Sequence, residues 1–231
     1  MKLKKVALVI VDITGYTGFL KFHKTSLLHA HEIISQLLES VIDKTSHPLT
    51  LNKLEGDAAL MYAELGEDEV SAGRDIVVQT KAFFDAFHTK ARELSGSRSN
   101  CPCEACQRIL DLKLKTILHI GHVAFRRIRQ FNDEMAGEDV ILIHLLLKNT
   151  VAEDEYILMT EPYHSLSGDV PGYLGRVHQE LCEGVGPVPV RVYSLNRYRP
   201  AFLSGRTGER PITGHSRWTS YFVKFIERIA L

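Results

Sequence analysis

The sequence predicts an α+β protein with a ferredoxin-like split βαβ core, an extra helix and C-terminal strands. Three observations carry this reading. The segments up to Phe125 alternate as strand, helix, strand, strand, helix, strand, the order of an antiparallel sheet with two helices on one face. Residues Val6–Val11 are an unbroken apolar run, the pattern of a strand buried on both faces. Two short apolar runs meet at Glu55-Gly56-Asp57, which reads as a tight hairpin.

The first strand covers residues 6–12. From Lys24 to about Lys44, apolar residues recur at 27/28, 33/34, 37/38 and 41/42, a helical stripe. Leu49–Leu54 and Ala58–Ala63 form the hairpin strands. A second long helix runs from Val70 to Leu94, with Ile76, Val77, Phe83, Phe84 and Phe87 on one side. Ser95–Asn100 reads as loop, followed by Cys101-Pro-Cys103-Glu-Ala-Cys106 and a helical turn, and Leu112–Phe125 is a strand. Gly137–Asn149 reads as helix, Tyr156–Thr160 as strand, and Val177–Leu181 with Val188–Leu195 as a closing hairpin. The boundaries expected are one domain over residues 1–195, with a Cys-rich insertion near 95–111, and an extension over 196–231. That extension is basic and ends in a helix near Ser216–Ile229 carrying an aromatic stripe from Trp218.

Composition narrows the class. Of 231 residues, 45% are hydrophobic and 24% charged, ordinary for a globular protein. Lys+Arg and Asp+Glu are both 28, without the basic excess that nucleic-acid or membrane-surface binding usually shows. The basic start precedes only six apolar residues, too few for a leader or a span, so a cytoplasmic protein is expected. Four unevenly placed cysteines do not make a secreted disulfide scaffold.

The chemistry starts at Asp12. A carboxylate ending a buried strand costs several kcal/mol unless it is paired or bound to a cation. In the expected topology the end of the first strand approaches the hairpin turn, and so Asp57. Two carboxylates converging there can hold divalent cations through oxygen. The backbone N–H groups of Gly15, Tyr16 and Thr17, leading toward a helix, can cradle a triphosphate. Two ions about 3.5–4 Å apart are the arrangement of in-line phosphoryl transfer. The plainer alternative makes Asp12 a turn or cap residue and Asp57 a hairpin residue.

Five segments in order resemble the class III nucleotidyl cyclase catalytic domain. They are Asp12-Ile-Thr-Gly-Tyr-Thr17, Lys53-Leu-Glu-Gly-Asp57, Ile117-Leu-His119-Ile-Gly121-His-Val123, Gly137-Glu-Asp-Val140-Ile141 and Pro189-Val-Arg-Val-Tyr193. The resemblance implies that Asp12 and Asp57 bind Mg²⁺ or Mn²⁺, helped by the carbonyl of Ile13. It implies that Lys53 and Glu134 read the purine, with ATP favoured over GTP. It also implies a site shared between two chains, in a homodimer or with a complementary cyclase chain. Ile141 stands where the family has an Asn for the ribose, and Leu145 where it has an Arg for the transition-state phosphate. Glu183-Gly184 is the nearest match to a phosphate-binding Lys-Gly. His144 and Lys148 are cationic or polar neighbours, but neither occupies the Arg position. Three readings follow. One is a nucleotide-binding regulatory protein, degenerate as a cyclase or the metal-bearing half of a heterodimer. The second is an active adenylyl cyclase.

The third reading rests on Cys101, Cys103 and Cys106, a metal or redox sensor on a cyclase-like fold. Three thiols within six residues suit Zn²⁺ or an iron–sulfur group, with Cys182, a His or a partner chain completing the set. The alternative is free thiols or a redox pair. His29 and His31 fall on an amphipathic helix and read as partly exposed residues rather than ligands, and His119 reads as structural.

Overall fold

The computed structural model describes residues 2–19, 24–128 and 131–195. The expected C-terminal extension and its aromatic helix lie outside the described residues. Strands β1 (Lys2–Thr14), β2 (Thr50–Glu55), β3 (Ala58–Glu64), β4 (Lys113–Ile128), β5 (Phe131–Ala136), β6 (Tyr156–Thr160), β7 (Arg176–Cys182) and β8 (Gly186–Ser194) form one sheet. Its order is β2-β3-β1-β4-β6-β8-β7, with β5 paired to β4. β1 lies antiparallel between β3 and β4, while β4 and β6 run parallel. The order β2-β3-β1-β4 is the split βαβ core expected from the sequence.

Two layers cover this sheet because β1 is apolar on both sides. Ala7, Val9, Val11 and Ile13 face a core built with α2 (Lys24–Ile42) and α3 (Glu69–Ser97), including Ile33, Leu37, Phe83 and Phe87. Val6, Leu8 and Ile10 face the opposite way, against Ile117, Leu158 and α5 (Glu138–Leu146) through Val140, Ile143 and Leu146. The period-2 alternation of a strand therefore puts Asp12 on the α5 side and Ile13 on the α2/α3 side. α3 starts at Asp68, whose carboxylate accepts from the Ser71 amide at 3.2 Å, a side-chain cap for one of the amides left unpaired by the helix.

The structure adds elements that periodicity did not reveal. β4 runs past Phe125 to Ile128, and β5 folds back on it, pairing Ala136 with Ala124 and Glu134 with Arg126. The β5 sequence Phe-Asn-Asp-Glu-Met-Ala lacks apolar alternation, so its pairing comes from continuing the β4 ladder. A short α6 (Glu161–Ser167), with Pro162 in its first turn, follows β6. Seven residues are too few for a periodic signal. The Cys-rich segment contributes α1's counterpart in brevity, α4 (Glu104–Gln107), while α1 itself spans Tyr16–Phe19. Among the described residues no helix is long and apolar enough to cross a membrane.

Candidate functional site

The register brings Asp12 and Asp57 together. Asp12 pairs with Ala58 across β1 and β3, and the Ile13 amide donates to the Asp57 carbonyl at 3.2 Å. The turn between β2 and β3 is the two residues Gly56-Asp57, and Gly56 takes φ +70°, a conformation that costs glycine least. Burial, and then the charge of Asp12, push the half-buried Asp57 carboxyl up to about 7. Burial and Asp57 also raise the phenol of Tyr16.

Asp12 has a partner that the sequence did not disclose. Across β1 and β4 it faces Lys115, whose ammonium lies 3.0 Å from Asp12 Oδ2. Lys115 also donates to the Leu147 carbonyl at 3.0 Å, at the end of α5. The demand for a cation at Asp12 is thus met in part within the chain. Among the described residues, the Lys115 ammonium stands against the two carboxylates of Asp12 and Asp57.

Lys53 and Glu134 are less directly placed. Lys53 Nζ lies 2.8 Å from Glu55 Oε1, and the other oxygen of Glu55 lies 2.9 Å from His144 Nε2. Burial raises the Glu55 carboxyl, but the bonds from His144 and Lys53 outweigh it and hold it low. Glu134 is half-buried on β5, opposite Arg126. Gly15 takes φ +96° and its carbonyl accepts from the Phe19 amide at 3.0 Å, closing the single turn that holds Tyr16 and Thr17.

α5 is locked at both ends and in the middle. At its start Asp139 accepts from the His122 amide at 2.6 Å and lies 2.9 Å from His119 Nε2. The bond from His119 holds the Asp139 carboxyl below the usual carboxylate range. His119 Nδ1 lies 2.9 Å from Thr160 Oγ1. Gly121 is required here, since a Cβ at that position would lie 2.1 Å from Asp139 Cγ. Midway, buried His144 is committed to Glu55 and to the Val140 carbonyl. Lys115 holds the far end. Ile141 and Leu145, one turn apart, are half-buried, and Leu145 packs at the rim of the apolar layer beneath α5. The face where the cyclase resemblance calls for Asn and Arg is apolar.

A second constellation lies on the other side of the sheet. His29 on α2 meets the three cysteines of the α3–β4 connection: Nδ1 is 3.4 Å from Cys103 Sγ and 3.5 Å from Cys101 and Cys106 Sγ. These four could hold a metal ion. The structure corrects the reading of His29 and, of the fourth members left open, brings a His rather than Cys182 to the three cysteines. His29 is no bystander, because α2 packs against the Cys-rich segment and turns the imidazole into it. Cys182 is not the fourth member, because it lies on β7 in the opposite layer. The sequence clue to His29 was its place on the helix packed beside the insertion, a clue that needs the tertiary pairing to be read.

The described residues have the fold of class III adenylyl and guanylyl cyclase catalytic domains. The chain superposes on the adenylyl cyclase CyaB of P. aeruginosa with TM-score 0.64 at 16% identity, covering 92% of this chain and 98% of that one. The guanylyl cyclase Cya2 gives TM-score 0.58 at 15% identity, covering 83% and 92%. The guanylate cyclase domain of RhGC from Catenaria anguillulae, determined in complex with GTP, gives 0.54 at 13% identity, covering 84% and 98%. By sequence, an uncharacterised protein of Mycobacterium tuberculosis, Rv2561/Rv2562, is 37% identical over 128 residues, 55% of this chain and 57% of that protein. The chain therefore spans little more than half the length of this curated relative. Residues 34–156 match the family described as "Protein of unknown function (DUF2652)", and the chain belongs to that family.

Proposed function

We propose that this DUF2652 protein is a cyclase-fold module that binds a purine nucleoside triphosphate with Mg²⁺ or Mn²⁺ and does not cyclise it as a homodimer. It acts as a regulatory protein or as the metal-bearing half of a site completed by another chain. The observation that carries this reading is the contrast between two parts of one surface. The carboxylates Asp12 and Asp57 are present and converge, whereas α5 offers half-buried Ile141 and Leu145 and is pinned in place by Asp139, His144 and Lys115.

The donor set suits a hard divalent cation. Asp12 and Asp57 supply carboxylate oxygens, and the Ile13 carbonyl lies beside them in the chain. Their two negative charges exceed the one positive charge of Lys115. When bound, such ions neutralise triphosphate oxygens and polarise them. Lys53, in this reading, exchanges Glu55 for the purine edge, with Glu134 as a second reader and ATP favoured over GTP. Gly15, Tyr16 and Thr17 present backbone amides to the phosphates. Each missing charge-stabilising group costs on the order of 10²–10³ in rate, and two of them are replaced by apolar side chains.

The test uses the purified chain with ATP and GTP, each with Mg²⁺ and Mn²⁺. Calorimetry is expected to show nucleotide binding with Mn²⁺ that Asp12→Asn and Asp57→Asn weaken at least tenfold. Cyclic nucleotide formation is expected at background. Robust cyclic AMP production abolished by Asp12→Ala overturns the non-cyclising reading. Failure to bind either nucleotide at millimolar concentration with Mn²⁺ overturns the nucleotide reading.

A further inference from the structure

We infer that His29, Cys101, Cys103 and Cys106 are the four ligands of a tetrahedral zinc ion that clips α2 to the α3–β4 connection. This site is separate from the carboxylate pair and does not depend on the nucleotide reading. Asp12 lies on the α5 side of the sheet, whereas the cysteines pack against the α2/α3 core.

The spacing of the ligand atoms is that of one ion. With Zn–N of about 2.0–2.1 Å and Zn–S of about 2.3 Å, a regular tetrahedron puts N and S about 3.5 Å apart. The three separations from His29 Nδ1 are 3.4, 3.5 and 3.5 Å. All four ligand atoms lie within 4.8 Å of one another. A single imidazole nitrogen equidistant from three sulfurs has no use in a thiol pair or a disulfide, whose bonding is between two sulfurs. It is what a shared central ion requires. An iron–sulfur cluster spreads its thiolates over several irons and needs a wider set of sulfurs.

The surroundings fit a closed structural site. Cys106 is buried, with Ala105, Ile109 and Leu112, and Cys101 and Cys103 pack onto the same core. Such an envelope excludes the water that an open catalytic position needs. The Cys106 amide donates to Cys103 Sγ at 3.4 Å, an outer bond that orients the sulfur and favours its thiolate. Three thiolates and Zn²⁺ leave one net negative charge. Arg98, mostly buried, interacts with Cys106 and lies 2.6 Å from Glu32, one helical turn along α2 from His29. Its ion pair with Glu32 joins the same two elements. Gln107 closes the loop by donating to the Cys101 carbonyl at 2.8 Å. A metal here ties residues far apart in sequence, which constrains the unfolded chain and converts binding energy into folding energy.

The decisive experiment titrates reduced, metal-free full chain with Co²⁺ and then Zn²⁺. We expect the visible bands of tetrahedral cobalt with a thiolate charge-transfer band, reaching saturation at one equivalent, and their loss on one equivalent of zinc. Zinc should protect three of the four thiols from alkylation. Cys106→Ser and His29→Ala should each weaken zinc binding at least tenfold, while Cys182→Ser and Asp12→Asn leave it unchanged. The wild-type spectrum and thiol protection stand even where a ligand variant fails to fold. Absence of the tetrahedral spectrum, a stoichiometry other than one, four reactive thiols with zinc present, or iron with sulfide in the purified chain would overturn the assignment. Because Asp12→Asn is included, loss of zinc binding and loss of nucleotide binding are read separately.

Discussion

Replacing Lys115 by Met removes the ammonium that pairs with Asp12 and keeps most of the side-chain volume. Both members of the Lys115–Asp12 pair are largely buried, at 16% and 17% side-chain exposure. Breaking a fully buried pair from one side costs about 3–5 kcal/mol and an exposed one about 0–1. An intermediate site gives roughly 2 kcal/mol, and the orphaned Leu147 carbonyl adds up to about 1. For a domain of this size a loss of about 2–3 kcal/mol lowers Tm by roughly 4–12 °C. Manganese should then act more strongly on the variant than on the wild type, because the ammonium no longer competes for Asp12. At a hundred times its Kd, a ligand of the folded state restores about 2.7 kcal/mol, so saturating Mn²⁺ should recover most of the loss. The assay is thermal unfolding of both proteins in EDTA and across a Mn²⁺ titration. Equal Tm values in EDTA would refute the pairing. A Mn²⁺ effect that persists in Asp12→Asn/Asp57→Asn would refute the carboxylates as its site.

Gly121→Ala should cost about 2–4 kcal/mol, since the new Cβ displaces Asp139 from two short bonds. In the background Asp139→Gly, which removes the obstructing side chain, the same change should cost under about 1 kcal/mol; additive losses in urea unfolding would reject the contact. The depressed Asp139 carboxyl contributes stability in full above its unfolded value near pH 4 and loses it as pH falls through the lower folded value. Asp139→Asn should therefore show a shallower loss of stability in acid than the wild type, and parallel curves would rule the contribution out. Buried Glu180 accepts from the Thr150 amide and hydroxyl and lies 2.9 Å from His178; Glu180→Ala should lose about 2–3 kcal/mol of stability by leaving that amide unpaired. A change under 0.5 kcal/mol in chemical unfolding would show the network to be dispensable.

Part of the candidate site was legible without coordinates because it depends on local order. An apolar run ending in Asp12, and a hairpin turning at Gly56-Asp57, must converge once the split βαβ order is granted. The apolar character of Ile141 and Leu145 was equally visible, being a matter of residue type at a fixed helical spacing. Lys115 was not legible as the partner of Asp12. Their meeting depends on the register of β1 against β4, and a slip of one residue would turn Lys115 to the opposite face. β5 was missed because its polar sequence carries no alternation and its pairing is borrowed from β4.

By itself the sequence determined the order of the four core strands, the converging carboxylates and the loss of the polar pair on α5, because periodicity, turn chemistry and residue identity act over a few neighbouring positions. Only the tertiary structure decided what each charged group meets. It gave Asp12 to Lys115, Glu55 to His144 and His29 to three cysteines. Each of these contacts spans distant segments, and its geometry is set by packing and register that no local pattern encodes.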